Sequence, residues 1–194
     1  MKRELVIIAL CVAFALNHGF AQTGLLSLSQ LSQQKDYKNI QEAINNHTSV
    51  YKLSMIDISY TLFMDKLDTF PNLQSLRLMN NEISSFSYIF KYLTLLQELT
   101  IFENNITTLP SDIGYLVHLK KLYLNSNGLY SLPQQLINLT MLEELDLSFN
   151  RLRALPNNIS QLTSLRKLTL TGNYFSAREV SLIRNMLPLC TVIN

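Results

Sequence analysis

Histidine and cysteine, the side chains best suited to metal binding and nucleophilic catalysis, are few and scattered in this sequence. The 194 residues contain three histidines and two cysteines. His47 and His118 have no cysteine or carboxylate at metal-ligand spacing, and no nucleophile–base arrangement stands out. Glycine-rich phosphate-binding motifs are also absent from the sequence. We therefore predict no catalytic residues, no metal site and no cofactor, and we expect the protein not to be an enzyme.

The composition indicates a folded chain with little net charge. Hydrophobic residues make up 47% and charged residues 15%, and 16 Lys+Arg against 14 Asp+Glu give a net charge of +2. The chain is too apolar to be intrinsically disordered. The charge balance argues against a nucleic-acid-binding protein, which would need many phosphate contacts. Two cysteines are too few for a disulfide-framework miniprotein.

The first 21 residues have the order of features found in a secretory signal peptide. Lys2 and Arg3 precede an apolar run over 5–16. That run is shorter than the ~20 residues that a membrane-spanning helix needs. Small residues at positions 19 and 21 fit cleavage before Gln22. We predict an exported protein, periplasmic, cell-surface or secreted, without a transmembrane anchor.

Two other interpretations of this segment remain open. The first is a buried N-terminal helix that is not removed. The second is a lipoprotein anchored through Cys11, which is disfavoured because Leu10 stands where a lipobox requires a small residue.

A 23-residue period governs the rest of the chain. Each copy reads L-x-x-L-x-L-x-x-N-x-L, and the five clearest copies begin at Leu73, Leu96, Leu119, Leu142 and Leu165. The Leu-x-Leu alternation predicts a short strand with one buried face. The asparagine follows each strand, where its side chain can donate and accept hydrogen bonds at once. We therefore predict a structural ladder formed by Asn81, Asn104, Asn127, Asn150 and Asn173.

This pattern resembles the leucine-rich repeat family in its bacterial 23-residue form. A Leu-Pro pair recurs in the second half of three units, at Leu109-Pro110, Leu132-Pro133 and Leu155-Pro156. The resemblance implies an α/β solenoid, or horseshoe, with parallel strands on its concave face and short helices or turns on its convex face. We predict six units over 50–187. They must stack on one another, because a single unit cannot bury its own apolar face.

The segments that flank the repeats are expected to cap the solenoid. We predict a leader or linker over 22–35, an N-terminal cap helix over 36–49 and a C-terminal cap strand over 188–194. The last unit merges with a helix over 177–186. Cys190 is expected to be a small buried residue of the cap, with an exposed, dimer-forming thiol as the alternative.

Five residues are candidates for a partner-binding site on the concave face. Ile56, Met79 and Phe102 occupy the same position in three successive units, and Arg77 and Tyr123 flank them. Strands ~4.8 Å apart bring such neighbours into contact. Exposed apolar patches beside arginine and aromatic residues are typical of protein-binding sites. The alternative is that residues 22–49 cover this patch, or that it serves only packing.

The family resemblance implies a protein-recognition scaffold. We therefore predict an exported, monomeric protein that binds an unidentified protein partner through its concave face and does not bind nucleic acid. An envelope structural or adhesive protein, or a regulatory subunit of an enzyme, is the alternative, because a fold alone does not determine function.

Overall fold

The parallel solenoid that the family resemblance implies is confirmed. The computed structural model describes residues 24–59, 63–86 and 88–194. Within these ranges eight parallel strands form one open sheet in chain order. They are β1 (Asp36–Tyr37), β2 (Lys52–Ile56), β3 (Ser75–Met79), β4 (Glu98–Phe102), β5 (Lys121–Tyr123), β6 (Glu144–Asp146), β7 (Lys167–Thr169) and β8 (Thr191–Ile193). The predicted signal peptide lies outside the described residues.

The strands pair in a register of 23 residues, so equivalent positions of successive units lie side by side. Leu53 pairs with Leu76, Leu76 with Leu99, and Leu99 with Leu122. We number positions from the first apolar residue of each unit, so that the ladder asparagine is at position 9. Units one to six then begin at Val50, Leu73, Leu96, Leu119, Leu142 and Leu165.

The core runs the length of the solenoid between the sheet and the turns opposite it. The residues at positions 1, 4 and 6 of all six units are buried, none of them more than 2% exposed. Phe63, Phe70 and Phe90 are also fully buried, on the turn side of the first units. Because stacking removes every unit's apolar side from water, the core is continuous from one end cap to the other.

The side opposite the sheet is built of 3-10 turns. They span Met64–Thr69, Phe90–Tyr92, Ser111–Tyr115, Gln134–Asn138 and Ile159–Gln161. Pro110 and Pro133 immediately precede two of them, with φ of −71° and −68°. Proline suits this place because its ring fixes φ near that value and its missing N–H is not needed at the start of a helical turn.

The helix predicted over 36–49 is wrong in its first part. Asp36 and Tyr37 form strand β1, and the helix, α2, spans only Ile40–Asn45. The preceding helix, α1, spans Leu28–Ser32. Tyr37 is buried in the core, while the Asp36 carboxylate accepts a hydrogen bond of 2.8 Å from the Ser54 hydroxyl. Pairing with β2 thus outweighs the helical pattern, and the helix begins only after Asn39, which caps α2.

The leader or linker predicted over 22–35 is, from residue 24 onward, a docked segment. Its helix α1 begins at a capping box formed by Ser27 and Gln30, and Leu31 is only 1% exposed. The backbone N–H of Leu26 donates to the side-chain oxygen of Gln74, and its carbonyl accepts from the side-chain amide of Gln97. These contacts tie the segment to the start of strands β3 and β4.

We expect Leu31→Ala to lower the free energy of unfolding by about 2 kcal/mol, because the substitution removes a buried side chain. Thermal or urea denaturation followed by circular dichroism measures the change. The control is Leu25→Ala in the same segment, where the side chain is 40% exposed and little should change. Equal stabilities of the two variants would mean that the segment is not docked.

The C-terminal cap consists of helix α3 (Ala177–Met186) and strand β8. Ser176 and Glu179 form a capping box at the start of α3, and Val180 and Ile183 face the core. Cys190 packs against this core but is only half-buried, and burial raises the pKa of its thiol. Among the helices of the described residues, none is long and apolar enough to cross a membrane.

Candidate partner-binding surface

The structure places Ile56, Met79 and Phe102 side by side on the solvent-facing side of the sheet. Ile56 pairs with Met79 and Met79 with Phe102, as the last residues of β2, β3 and β4. Their neighbours at position 6 point into the core and are 0% exposed: Met55, Leu78 and Ile101. Because successive residues of a strand alternate between faces, position 7 must point away from the core. We call these three residues the apolar strip.

The apolar strip is accessible to varying degrees. Ile56 is 42% exposed, whereas Met79 and Phe102 are half-buried. The same position of the next three units carries Asn125, Ser148 and Thr171. The fold therefore does not require an apolar residue here, and the strip is a feature of the first three units alone.

Arg77 and Tyr123 lie in the neighbouring column, at position 5. Arg77 on β3 pairs with Thr100 on β4, and Thr100 pairs with Tyr123 on β5, so strand β4 separates the two predicted residues. Arg77 is exposed and Tyr123 is half-buried. All five predicted residues thus lie on one face of four adjacent strands, β2 to β5.

Tyr123 is held in place by Glu144. Its hydroxyl donates a hydrogen bond of 2.8 Å to the Glu144 carboxylate. Burial and this acceptor raise the pKa of Tyr123 above its ordinary value, so the hydroxyl stays protonated at neutral pH. The Tyr123 side chain is therefore held in place at the edge of the apolar strip, and its hydroxyl hydrogen is already donated to Glu144.

The depression beside Tyr123 is small. It is open to solvent, has a volume of at most about 170 Å³, and is lined by Tyr123, Glu144, Leu145, Asp146, Lys167 and Thr169. Pockets for small ligands usually measure ~300–1,000 Å³. In the described ranges no three His, Cys, Asp or Glu residues are grouped to hold a metal ion. The geometry of this face suits contact with a broad surface.

The N-terminal segment covers the starts of strands β3 and β4 and leaves the ends of these strands open. Gln74 and Gln97, at position 2, are 0% and 1% exposed beneath Leu26, and Ser75 is 2% exposed. The apolar strip lies five positions further along the strands. Residues 24–49 therefore do not hide Ile56 at the strand ends.

Charged residues occupy the sheet beyond the apolar strip. Glu98, Lys121, Glu144 and Lys167 lie at one register in β4 to β7, with alternating sign. The Lys121 ammonium lies 3.2 Å from the Glu98 carboxylate. Such partly exposed pairs contribute only ~0–1 kcal/mol each. This region therefore forms a solvated rim beside the strip.

The asparagines at position 9 fix the strand ends from which the apolar strip projects. The side-chain oxygen of Asn104 accepts hydrogen bonds of 3.1 Å from the backbone N–H groups of Asn81 and Ile83. Its amide donates, at 2.9 Å, to the carbonyls of Leu78 and Phe102. Asn81, Asn127, Asn150 and Asn173 also link neighbouring units in this way. Because Phe102 itself is one acceptor, the ladder holds the strip in place.

A second group of exposed residues escaped the sequence interpretation. Tyr130, Phe149 and Tyr174 are 61%, 61% and 56% exposed, and the exposed Arg151 and Arg153 lie in the same unit as Phe149. All five follow the strand ends, outside the columns that the Leu-x-Leu pattern assigns to the sheet face. The one available signal was a phenylalanine directly before a ladder asparagine, where the other units carry small or polar residues.

A family model and one solved structure agree with this architecture. A family model for a leucine-rich repeat region matches residues 35–190. The chain is 24% identical to an internalin of Listeria monocytogenes, with a TM-score of 0.64, and the match covers 82% of this chain and 45% of the internalin. A leucine-rich repeat protein of Leptospira interrogans is also 24% identical, with a TM-score of 0.41 and coverage of 83% and 58%. The chain thus spans about half the length of both proteins. No curated protein matches the sequence.

Proposed function

This chain belongs to the leucine-rich repeat family, and from that membership we propose that it is an exported scaffold that binds a protein partner. The partner contacts the solvent-facing side of the sheet, centred on the apolar strip. The basic start, apolar run and small residues of the first 21 positions support export.

The observation that carries this proposal is the register of the apolar strip. Three apolar side chains stand at one position of adjacent strands, on the face opposite the core. The same position is polar in the last three units. Leaving apolar groups in water gives the folded chain no benefit, whereas covering them with a partner releases about 25 cal/mol per Å² of buried apolar surface. A binding role accounts for this choice of residues.

The five residues have complementary roles in such a contact. Phe102, at the end of the strip nearest Tyr123, is the rigid aromatic anchor, and Met79 adapts to the partner's shape. Arg77 is exposed and has no ion pair among the described residues, so it is available to a carboxylate or carbonyl of the partner. Tyr123 and the Lys121–Glu98 pair form the polar rim.

Photo-crosslinking from the strip tests this proposal and identifies the partner. A photoreactive phenylalanine analogue replaces Phe102 and, in a control variant, Lys167 on the same face. The proteins are crosslinked in the native envelope and the products are identified by mass spectrometry. The variant at residue 102 should give a protein adduct that is weak or absent with the variant at residue 167.

With the captured partner, we expect Phe102→Ala to weaken binding by more than about 1 kcal/mol, or roughly fivefold. Lys167→Ala should change binding little, because its side chain lies beyond the strip. Because Phe102 is half-buried, circular dichroism must show that the variant is folded, and Ile56→Ser provides a second, more exposed probe of the strip. Unchanged binding by both strip variants, together with a loss of binding in Lys167→Ala, would contradict the proposal.

A further inference from the structure

The residue before each ladder position adopts a left-handed backbone conformation in all six units. Position 8 is Asp57, Asn80, Glu103, Ser126, Phe149 and Gly172, with φ between 51° and 75°. Among the described residues, this turn directs positions 8, 10 and 12 outward, while positions 9 and 11 point inward; Asn104 and Ile106, for example, are buried. The described residues at positions 8, 10 and 12 together line one side of the solenoid, along the ends of the strands. We call this the strand-end surface.

Charge is segregated along the strand-end surface. In units one to three these positions carry Asp57, Glu82 and Glu103, and no lysine or arginine. In units four to six they carry Arg151 and Arg153, and no aspartate or glutamate. All five charged residues are exposed. One half of the surface is therefore acidic and the other half basic.

The basic half also exposes three aromatic rings, Tyr130, Phe149 and Tyr174. Phe149 has a φ of 54°, a conformation that is rare and costly for a bulky side chain. Its ring lies against Gly172, where an added Cβ would come within 2.7 Å of a ring carbon. The Arg153 guanidinium lies 5.2 Å from the centre of the Tyr174 ring. The fold does not need these rings, since the equivalent positions of other units hold small or polar residues.

In place of the monomer expected from the sequence, we propose that the strand-end surface binds the same surface of a second copy of this chain. A two-fold axis between units three and four sets unit two of one copy against unit five of the other. Glu82 of each copy then faces Arg151 and Arg153 of the other copy. The same contact is therefore made twice, as the two-fold symmetry of an isologous interface requires. Asp57, in unit one, faces unit six of the second copy, which carries Tyr174. Glu103, in unit three, faces unit four, which carries Tyr130.

Charge complementarity favours a second copy over an acidic protein as the occupant. An acidic partner would use Arg151 and Arg153 but would be repelled by the acidic half of the same surface. The antiparallel self-contact pairs Glu82 of each copy with two arginines of the other and opposes no like charges, whereas a parallel one would place like charges together. Tyr130, Phe149 and Tyr174 supply the kind of aromatic contact that anchors protein interfaces.

The expected dimer is weak and sensitive to salt. The six strands of the repeat units, β2 to β7, extend over only ~24 Å at ~4.8 Å per strand. A stable interface usually covers ~800 Å² per partner, and this surface is at or below that size. Because exposed charges guide the contact, raising the ionic strength should shift the protein towards the monomer.

Charge reversal tests the pairing. In sedimentation-equilibrium experiments on the purified protein at low salt, the wild type should form a reversible dimer. Glu82→Arg and Arg151→Glu should each weaken dimerisation at least about tenfold, because each homodimer then contains two repulsive contacts. An equimolar mixture of the two variants should dimerise again, since both contacts of the mixed dimer are attractive. The double variant E82R/R151E should also recover.

Two controls separate this surface from the rest of the molecule. Glu143→Arg makes the same charge change at an exposed residue of the strand starts and should leave dimerisation unchanged. Phe149→Ser should weaken the dimer, and serine is compatible with the backbone because Ser126 occupies the same position. Phe102→Ala should dimerise like the wild type, which keeps this test independent of the proposed partner site.

A wild type that stays monomeric at all concentrations would overturn the proposal. A mixture of the two charge-reversed variants that fails to dimerise, when each is folded, would overturn it as well. In either case the strand-end surface would be free for a different partner, and the single variants would then affect capture from the envelope and not self-association.

Discussion

Replacing Asn104 with alanine is expected to lower the free energy of unfolding by about 3 kcal/mol, because more than one buried backbone group loses its partner. Asn104 is 6% exposed, and its side chain serves two backbone N–H groups and two carbonyls at once. Alanine can neither donate nor accept, and water has little access to the groups left behind. Urea denaturation followed by circular dichroism measures the change, since the chain has no tryptophan.

The control for the Asn104 variant is Glu143→Ala. Glu143 is exposed at the start of a strand and forms no ion pair among the described residues, so its removal should cost well under ~1 kcal/mol. Asn127→Ala should fall between the two, because Asn127 is only half-buried and its oxygen accepts a single hydrogen bond. Equal shifts in all three variants would show that the ladder does not stabilise the fold through buried hydrogen bonds.

The repeat units were predictable because the spacing of apolar residues along the sequence determines their structure. Alternating apolar residues determine which face of each strand is buried, and the 23-residue period determines which residues become neighbours. For that reason the pairing of Ile56, Met79 and Phe102 followed from the sequence. The partial burial of Met79 and Phe102 did not, because it depends on contacts with adjacent strands and turns.

The ends of the solenoid were less predictable because long-range contacts form them. Strand β1 has two residues, too few for a recognisable alternation, and exists through pairing with β2. The docking of the N-terminal segment depends on Gln74 and Gln97, which the repeat pattern places among variable, solvent-facing positions. Only the folded structure brings Leu26 to these two amides.

The strand-end surface was missed for a different reason. The left-handed backbone at position 8 is imposed by the turn, and six different residue types adopt it: Asp57, Asn80, Glu103, Ser126, Phe149 and Gly172. Glycine, aspartate and asparagine commonly mark such a turn, but glutamate, serine and phenylalanine do not. The sequence does not reveal this dihedral angle. It therefore does not show in which direction the side chains of Phe149 and of the neighbouring arginines point.

Gly114→Ala is expected to destabilise the protein by about 1–3 kcal/mol, the usual range for overpacking a well-filled site. Gly114 is buried in the turn Ser111–Tyr115, against the next turn of the solenoid. A Cβ at this position would lie 2.8 Å from the Cβ of Gln135 and 2.9 Å from its carbonyl oxygen. One of these atoms belongs to the backbone, so the two turns would have to separate, which would also open the core beneath them.

Gly128→Ala provides the matched control for Gly114→Ala within the same chain. A Cβ at position 128 would meet its nearest atoms, the Ile106 carbonyl oxygen and a Thr107 methyl group, at 3.5 Å, an ordinary contact distance. Alanine also restricts the unfolded chain, so this variant should be as stable as the wild type or more stable by ~0.4–1 kcal/mol. Urea midpoints of the two variants give the comparison. If Gly114→Ala is the more stable of the two, the close approach of the turns at Gln135 is wrong.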